Sequence, residues 1–130
     1  AARIHSVACP LLVPLVEEGW LKKRETAMIV KKYLQPLRAR QIDTLILGCT
    51  HYPLLKTVIQ TKIGKRVKLI DSSICISEGI KHFLDNHRNI ERQLGQNDHL
   101  SLFVSDVTDQ FKKIAQLTLK TNIRFECVKI

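Results

Sequence analysis

The spacing of apolar residues along this chain changes several times, and each change predicts an element. From Glu25 to Arg40, Ile29, Tyr33 and Leu37 recur on one helical face, with Pro36 near the last turn. Ile42-Asp43-Thr44-Leu45-Ile46-Leu47 is a β-prone apolar run and predicts a buried strand over 42–47. Pro53 and the periodic residues after it predict a helix over 53–62, closed by Gly64. Arg66-Val67-Lys68-Leu69-Ile70 predicts the next strand, with Ser72 or Ser73 placed to cap a helix over 74–87. Upstream, Val7–Cys9 reads as the end of a strand. Pro10–Trp20 reads as a short helix, with Pro10 tolerated in the first turn and Pro14 disturbing it.

Residues 88–99 are polar and predict a linker. Beyond it, Leu100–Val104 predicts a strand, Asp106 or Thr108 caps a helix to about Thr118, and 123–130 alternates like a final strand. This β-α-β-α alternation implies an α/β fold, a parallel sheet flanked by helices.

Composition narrows the class. The length of 130 residues allows one modest core, and 45% hydrophobic residues is ordinary for a globular chain. No apolar run approaches the roughly eighteen residues of a membrane span, so no membrane partner is expected. The chain opens Ala-Ala-Arg-Ile-His, without an initiator Met or a signal peptide, which reads as a start in mid-protein. Cys9, Cys49, Cys75 and Cys127 are widely scattered, so reduced thiols in a cytoplasmic protein are expected rather than disulfides. No Cys/His cluster has metal-ligand spacing.

The net charge of +9 permits nucleic-acid binding. The Lys and Arg, as in Lys22-Lys23-Arg24 and Lys31-Lys32, are spread over helices, and aromatic content is only 5%. Base stacking then has little to work with, and a solvated basic surface is the simpler reading. A non-catalytic, basic nucleic-acid-binding module stands as the alternative from a different functional class.

The candidate chemistry lies in Leu47-Gly48-Cys49-Thr50-His51-Tyr52-Pro53-Leu54-Leu55. Cys49 falls between a strand and a helix, at the carboxyl rim where open α/β sheets bind ligands. A thiol beside a His and near a helix start is in a setting that makes it reactive. The competing reading is a small buried hydrophobe, as most free cysteines are. Cys9 also follows a strand and precedes a helix, but a parallel sheet puts both thiols on one rim, and Cys9 reads as structural. Cys75 and Cys127 read as core. His5, His82, His87 and His99 read as surface.

Gly48-Cys49-Thr50-His51-Tyr52-Pro53-Leu54 resembles the second cysteine motif of bacterial glutamate racemase. Ala8-Cys9-Pro10-Leu11-Leu12-Val13-Pro14-Leu15-Val16-Glu17-Glu18-Gly19 resembles the family's segment with a functional glutamate, and Ile70-Asp71-Ser72 resembles its next strand end. The three stretches occur in the family's order. Phe103–Ile130 resembles its C-terminus in pattern only. The first-domain motifs, including the other catalytic cysteine, have no counterpart here.

The resemblance implies cofactor-independent interconversion of L- and D-glutamate by two cysteines, one from each of two domains. It implies D-glutamate supply for peptidoglycan, hence a part in cell-wall biogenesis and cell shape. Cys49 matches the base for the L-enantiomer, and His51 matches a residue that tunes that thiol and assists proton movement. Thr50 matches a substrate contact. Glu17 matches the acidic partner, with Glu18 as the alternative.

The resemblance further implies that residues 1–87 are most of a second domain, 88–98 a linker, and 99–130 a β-α-β return segment completing a first domain. The missing N-terminal domain would then be a partner, homo-oligomers are possible, and the chain alone is expected to be inactive. The nearest alternative is an aspartate racemase-like enzyme, against which His51-Tyr52-Pro53 speaks.

Overall fold

The computed structural model describes residues 2–95, 101–119 and 125–129. It divides into two units, Ala1–Ser73 and Ile74–Ile130. The first is an α/β layer built on two parallel strands, β1 (Thr44–Leu47) and β2 (Lys68–Asp71), with Leu47 paired to Asp71. Three helices precede or connect them: α1 (Leu12–Glu17), α2 (Arg24–Ala39) and α3 (Lys56–Ile63). A 3-10 turn, Tyr52–Leu55, leads into α3.

The core of this unit gathers one face from each element. Leu12 and Val16 of α1, Val30, Leu34 and Leu37 of α2, Leu47 of β1, and Leu55, Ile59 and Ile63 are all buried. The buried face of α2 is therefore one position displaced from the expected Ile29–Tyr33 line, and those two residues are partly buried at its border. Leu55 is 1% exposed in this cluster. Leu55→Ala is expected to cost about 2–4 kcal/mol, as other large-to-small core changes do. Urea unfolding of the chain measures it, and a loss under about 1 kcal/mol would contradict this packing.

Two proline placements explain α1. The helix starts at Leu12, later than expected, so Pro14 falls in its first turn, where the amide hydrogen has no intrahelical acceptor. Gly19 ends it at φ 71°, with Gly19 N–H donating to Val16 O and Trp20 N–H to Leu15 O. That paired closure requires the left-handed conformation, which glycine adopts without strain. Thr26 is fully buried, and its hydroxyl donates to Trp20 O at 2.6 Å, tying α2 to that turn.

Val7–Cys9, expected as a strand end, is irregular. Its backbone has no ladder to β1. It is held instead by Val7 and Cys9 packing on the core, across a cavity of about 330 Å³ from Leu45 and Leu47.

The helix α4 (Ser72–Asn86) follows β2. Its cap is Asp71 rather than Ser72 or Ser73, because Asp71 Oδ1 accepts from both the N–H and the hydroxyl of Ser73. Ile76, Ile80 and Phe83, spaced along one face of α4, are exposed. The expected linker opens with a helical turn, α5 (Arg88–Glu91), braced by Arg88 contacts to Asp85 and Glu91.

In the second unit, β3 (Leu102–Val104) and β4 (Phe125–Cys127) pair in parallel through α6 (Asp109–Leu119). Thr108 caps α6 as expected, its hydroxyl accepting from Phe111 N–H at 3.1 Å. Phe111 and Phe125 meet edge to face, with ring centroids 5.1 Å apart. Cys75 and Cys127, expected in the core, are both exposed. Helix and strand periodicity alone does not say which face has a covering layer.

Candidate active site

The chain leaves β1 at Leu47, passes Gly48, and turns at Cys49. Tyr52 N–H donates to Cys49 O at 3.3 Å and Leu54 N–H to His51 O at 3.1 Å, closing two tight turns around Pro53. Pro53 sits where a helical start has no use for an amide hydrogen, and its fixed φ suits the turn. Cys49 is thereby held at the carboxyl rim of the sheet, partly exposed.

The turn sets His51 between two segments distant in sequence. Its Nδ1 lies 4.0 Å from Cys49 Sγ and 3.4 Å from Thr50 Oγ1. Its Nε2 lies 3.6 Å from Glu17 Oε1, at the last residue of α1. A proton on Nε2 faces the carboxylate, and the free Nδ1 lone pair then faces the thiol and the Thr50 hydroxyl. The structure thus brings together Cys49, Thr50, His51 and Glu17.

Cys9 differs from Cys49. Its thiol donates to Val7 O at 3.6 Å, and burial pushes its pKa above the usual thiol value. A thiol kept protonated is a poor nucleophile and base, which fits a packing role. Cys9 lines the 330 Å³ cavity with Tyr33, Leu45 and Tyr52, whereas Cys49, His51 and Glu17 do not. His5, His82 and His87 are exposed, and His99 lies outside the described residues.

At the same rim, sequence reasoning placed Asp71 at a strand end but missed its cap and its pairing with Lys56. Asp71 is 7% exposed, and Lys56 Nζ at the start of α3 lies 3.5 Å from its Oδ2. The Ser73 hydroxyl, and then its backbone N–H and Lys56, hold the Asp71 carboxyl below the usual range against the opposing effect of burial. The pair links the helix after the Cys49 turn to β2. An Asp directly before Ser-Ser and a periodic apolar run was the available signal for the cap. No comparable signal announced Lys56. Among the described residues no group of His, Cys, Asp or Glu could hold a metal ion, and no helix is long and apolar enough to cross a membrane.

No protein-family model matches the chain. Curated relatives do. A glutamate racemase of Chlorobaculum parvum is 35% identical over 123 residues, 95% of this chain and 45% of that protein. One of Neisseria meningitidis is 41% identical over 128 residues, 98% of this chain and 47% of that protein. Among solved structures, Francisella tularensis glutamate racemase in complex with D-glutamate is similar at a TM-score of 0.85 and 30% identity, over 98% of this chain and 47% of that one. A Bacillus anthracis glutamate racemase isoform is similar at 0.84 and 35%, with the same coverage. The chain thus spans less than half the length of the relatives it matches. Within that span, the chain is similar in sequence and in fold to the glutamate racemases.

Proposed function

We propose that this chain carries one half of a glutamate racemase active site, with Cys49 as the base and acid on one face of the substrate Cα. The observation behind this reading is the contact series Cys49–His51–Glu17 at the carboxyl rim of a parallel sheet. It occurs in a chain similar to racemases, one of them solved with D-glutamate.

The Cα proton of an amino acid is very weakly acidic, so its base must be close, oriented and shielded from water. Cys49 thiolate takes the proton from L-glutamate, and Cys49 thiol returns one when D-glutamate is consumed. His51 receives the thiol proton at Nδ1, and Glu17 stabilises the imidazolium through Nε2. Thr50 offers a hydroxyl and a backbone N–H to a substrate carboxylate. A second thiol on the opposite face, from a domain outside this chain, completes the two-base reaction. No step in this scheme calls for a cofactor.

In the same reading, residues 1–87 form most of the second domain, 88–98 a linker, and 99–130 a return segment to the first domain. The exposed Ile76, Ile80 and Phe83 face then suits further chain or a second copy. The setting is cytoplasmic, and the product serves peptidoglycan synthesis.

The test is protection. In a full-length racemase carrying this chain, D-glutamate is expected to slow alkylation of Cys49 by iodoacetamide, read by mass spectrometry on the Cys49 peptide. Equal protection by D-aspartate would move the substrate to the shorter acid. No protection, together with salt-sensitive DNA binding, would favour a basic binding module.

A further inference from the structure

Glu17 and His51 belong to segments that meet only in the folded chain, and their contact is a weak one. The side chains are 49% and 31% exposed, and the atoms stand 3.6 Å apart. An exposed pair of this kind is screened by water and holds nothing in place by itself. The distance is set by the segments that carry the two side chains.

Tyr52 is placed to join those segments. It follows His51 directly, and its N–H is bonded to Cys49 O at 3.3 Å. Its ring packs on the core beneath the turn. Its hydroxyl donates to Cys9 O at 3.4 Å. That same carbonyl accepts Leu12 N–H at 3.1 Å, the bond that opens α1. Tyr52 is thus fixed to the Cys49 turn at its backbone and to the root of α1 at its ring tip. Glu17 stands at the other end of α1. With six residues at about 1.5 Å each, α1 is a stiff arm of roughly 9 Å.

We propose that Tyr52 is a positioning residue, whose hydroxyl joins the Cys49–His51 turn to the root of α1 and thereby sets how Glu17 meets His51. The assignment rests on the racemase reading only for the reaction it serves. The Tyr52 hydroxyl remains a donor at neutral pH, because burial and then the nearby Cys9, Cys49 and Tyr33 push its pKa up. A second hydroxyl, that of Tyr33, accepts from Leu11 N–H at 3.3 Å. The root of α1 therefore keeps one attachment when Tyr52 loses its own, and Tyr52→Phe should fold.

The experiment uses the 130-residue chain and needs no turnover. The rate of Cys49 alkylation by iodoacetamide at neutral pH is followed on its own peptide, with and without Glu17→Gln. With Tyr52 present, Glu17→Gln is expected to slow Cys49 alkylation about fivefold, since a neutral partner supports the imidazolium and thiolate less well. In Tyr52→Phe the reaction is already slowed by a similar factor, and Glu17→Gln adds less than about twofold. The para-amino analogue of phenylalanine at position 52 keeps a donor at the ring tip and restores the response to Glu17→Gln. A merely structural role would shift the melting midpoint without removing this coupling.

An equal effect of Glu17→Gln with Tyr52 and with Phe at 52 overturns the proposal, as does no effect in either. Should Tyr52→Phe unfold, the para-amino variant decides: a folded chain without coupling also overturns it. Loss of coupling in a full-length enzyme that does not racemise glutamate would overturn the racemase reading and leave the positioning role standing.

Discussion

Cys49→Ser, in a full-length racemase that carries this chain, is expected to abolish solvent exchange of the Cα proton of L-glutamate while largely sparing the opposite half-reaction. Serine keeps the size of cysteine and can donate a proton. Its hydroxyl is a far weaker source of base than a thiol. Loss of a positioned general base lowers a rate by about 10²–10⁴-fold. In the proposed scheme, abstraction from the D-enantiomer falls to the thiol on the other face. A D-configured substrate analogue with a β-leaving group isolates that step, because elimination needs no second proton transfer at Cα. His51→Asn is expected to give the same asymmetry more mildly, since in the proposed scheme His51 assists the thiol and is not itself the base. The measurement is deuterium exchange with L-glutamate beside elimination from both enantiomeric analogues. Equal losses on both faces would mean that Cys49 is not a one-face base.

The second large effect concerns the chain by itself. The 130 residues are expected to give no racemisation of L-glutamate above buffer. One matched base cannot serve both faces of one carbon, and a thiol without its opposing wall is open to water. Cys9 does not supply the second face, since its thiol is committed to Val7 O and kept protonated by burial. A circular-dichroism or coupled assay on the purified chain tests this. Racemisation that survives Cys49→Ala would overturn the two-base account altogether.

What could be read in advance, and what could not, separates cleanly by range. The order of elements was legible from Cys9 to Ile70, because helix and strand periods are local properties of the chain. So was the Cys49 turn, since Gly48 and Pro53 restrict the backbone where they stand. The motif around Cys49, Thr50 and His51, and the Glu17 segment, were legible by resemblance to a family.

The strand expected at Val7–Cys9 was not decided locally. A strand exists only when a neighbour completes its ladder, and here that stretch packs on the core without one. Cys75 and Cys127 lie on regular elements, yet burial depends on a covering layer, and both are exposed.

The site shows the same division. Its residue types are a property of the sequence. The meeting of Glu17 with His51, the Tyr52 hydroxyl on Cys9 O, and Lys56 beside Asp71 are contacts between separate elements. Residue spacing carries no record of them, because each distance is set by how α1, α3 and β2 pack on a shared core. The chain's own order placed a thiol and an imidazole on one turn and a carboxylate on a separate helix, and only packing brought the carboxylate within reach of the imidazole.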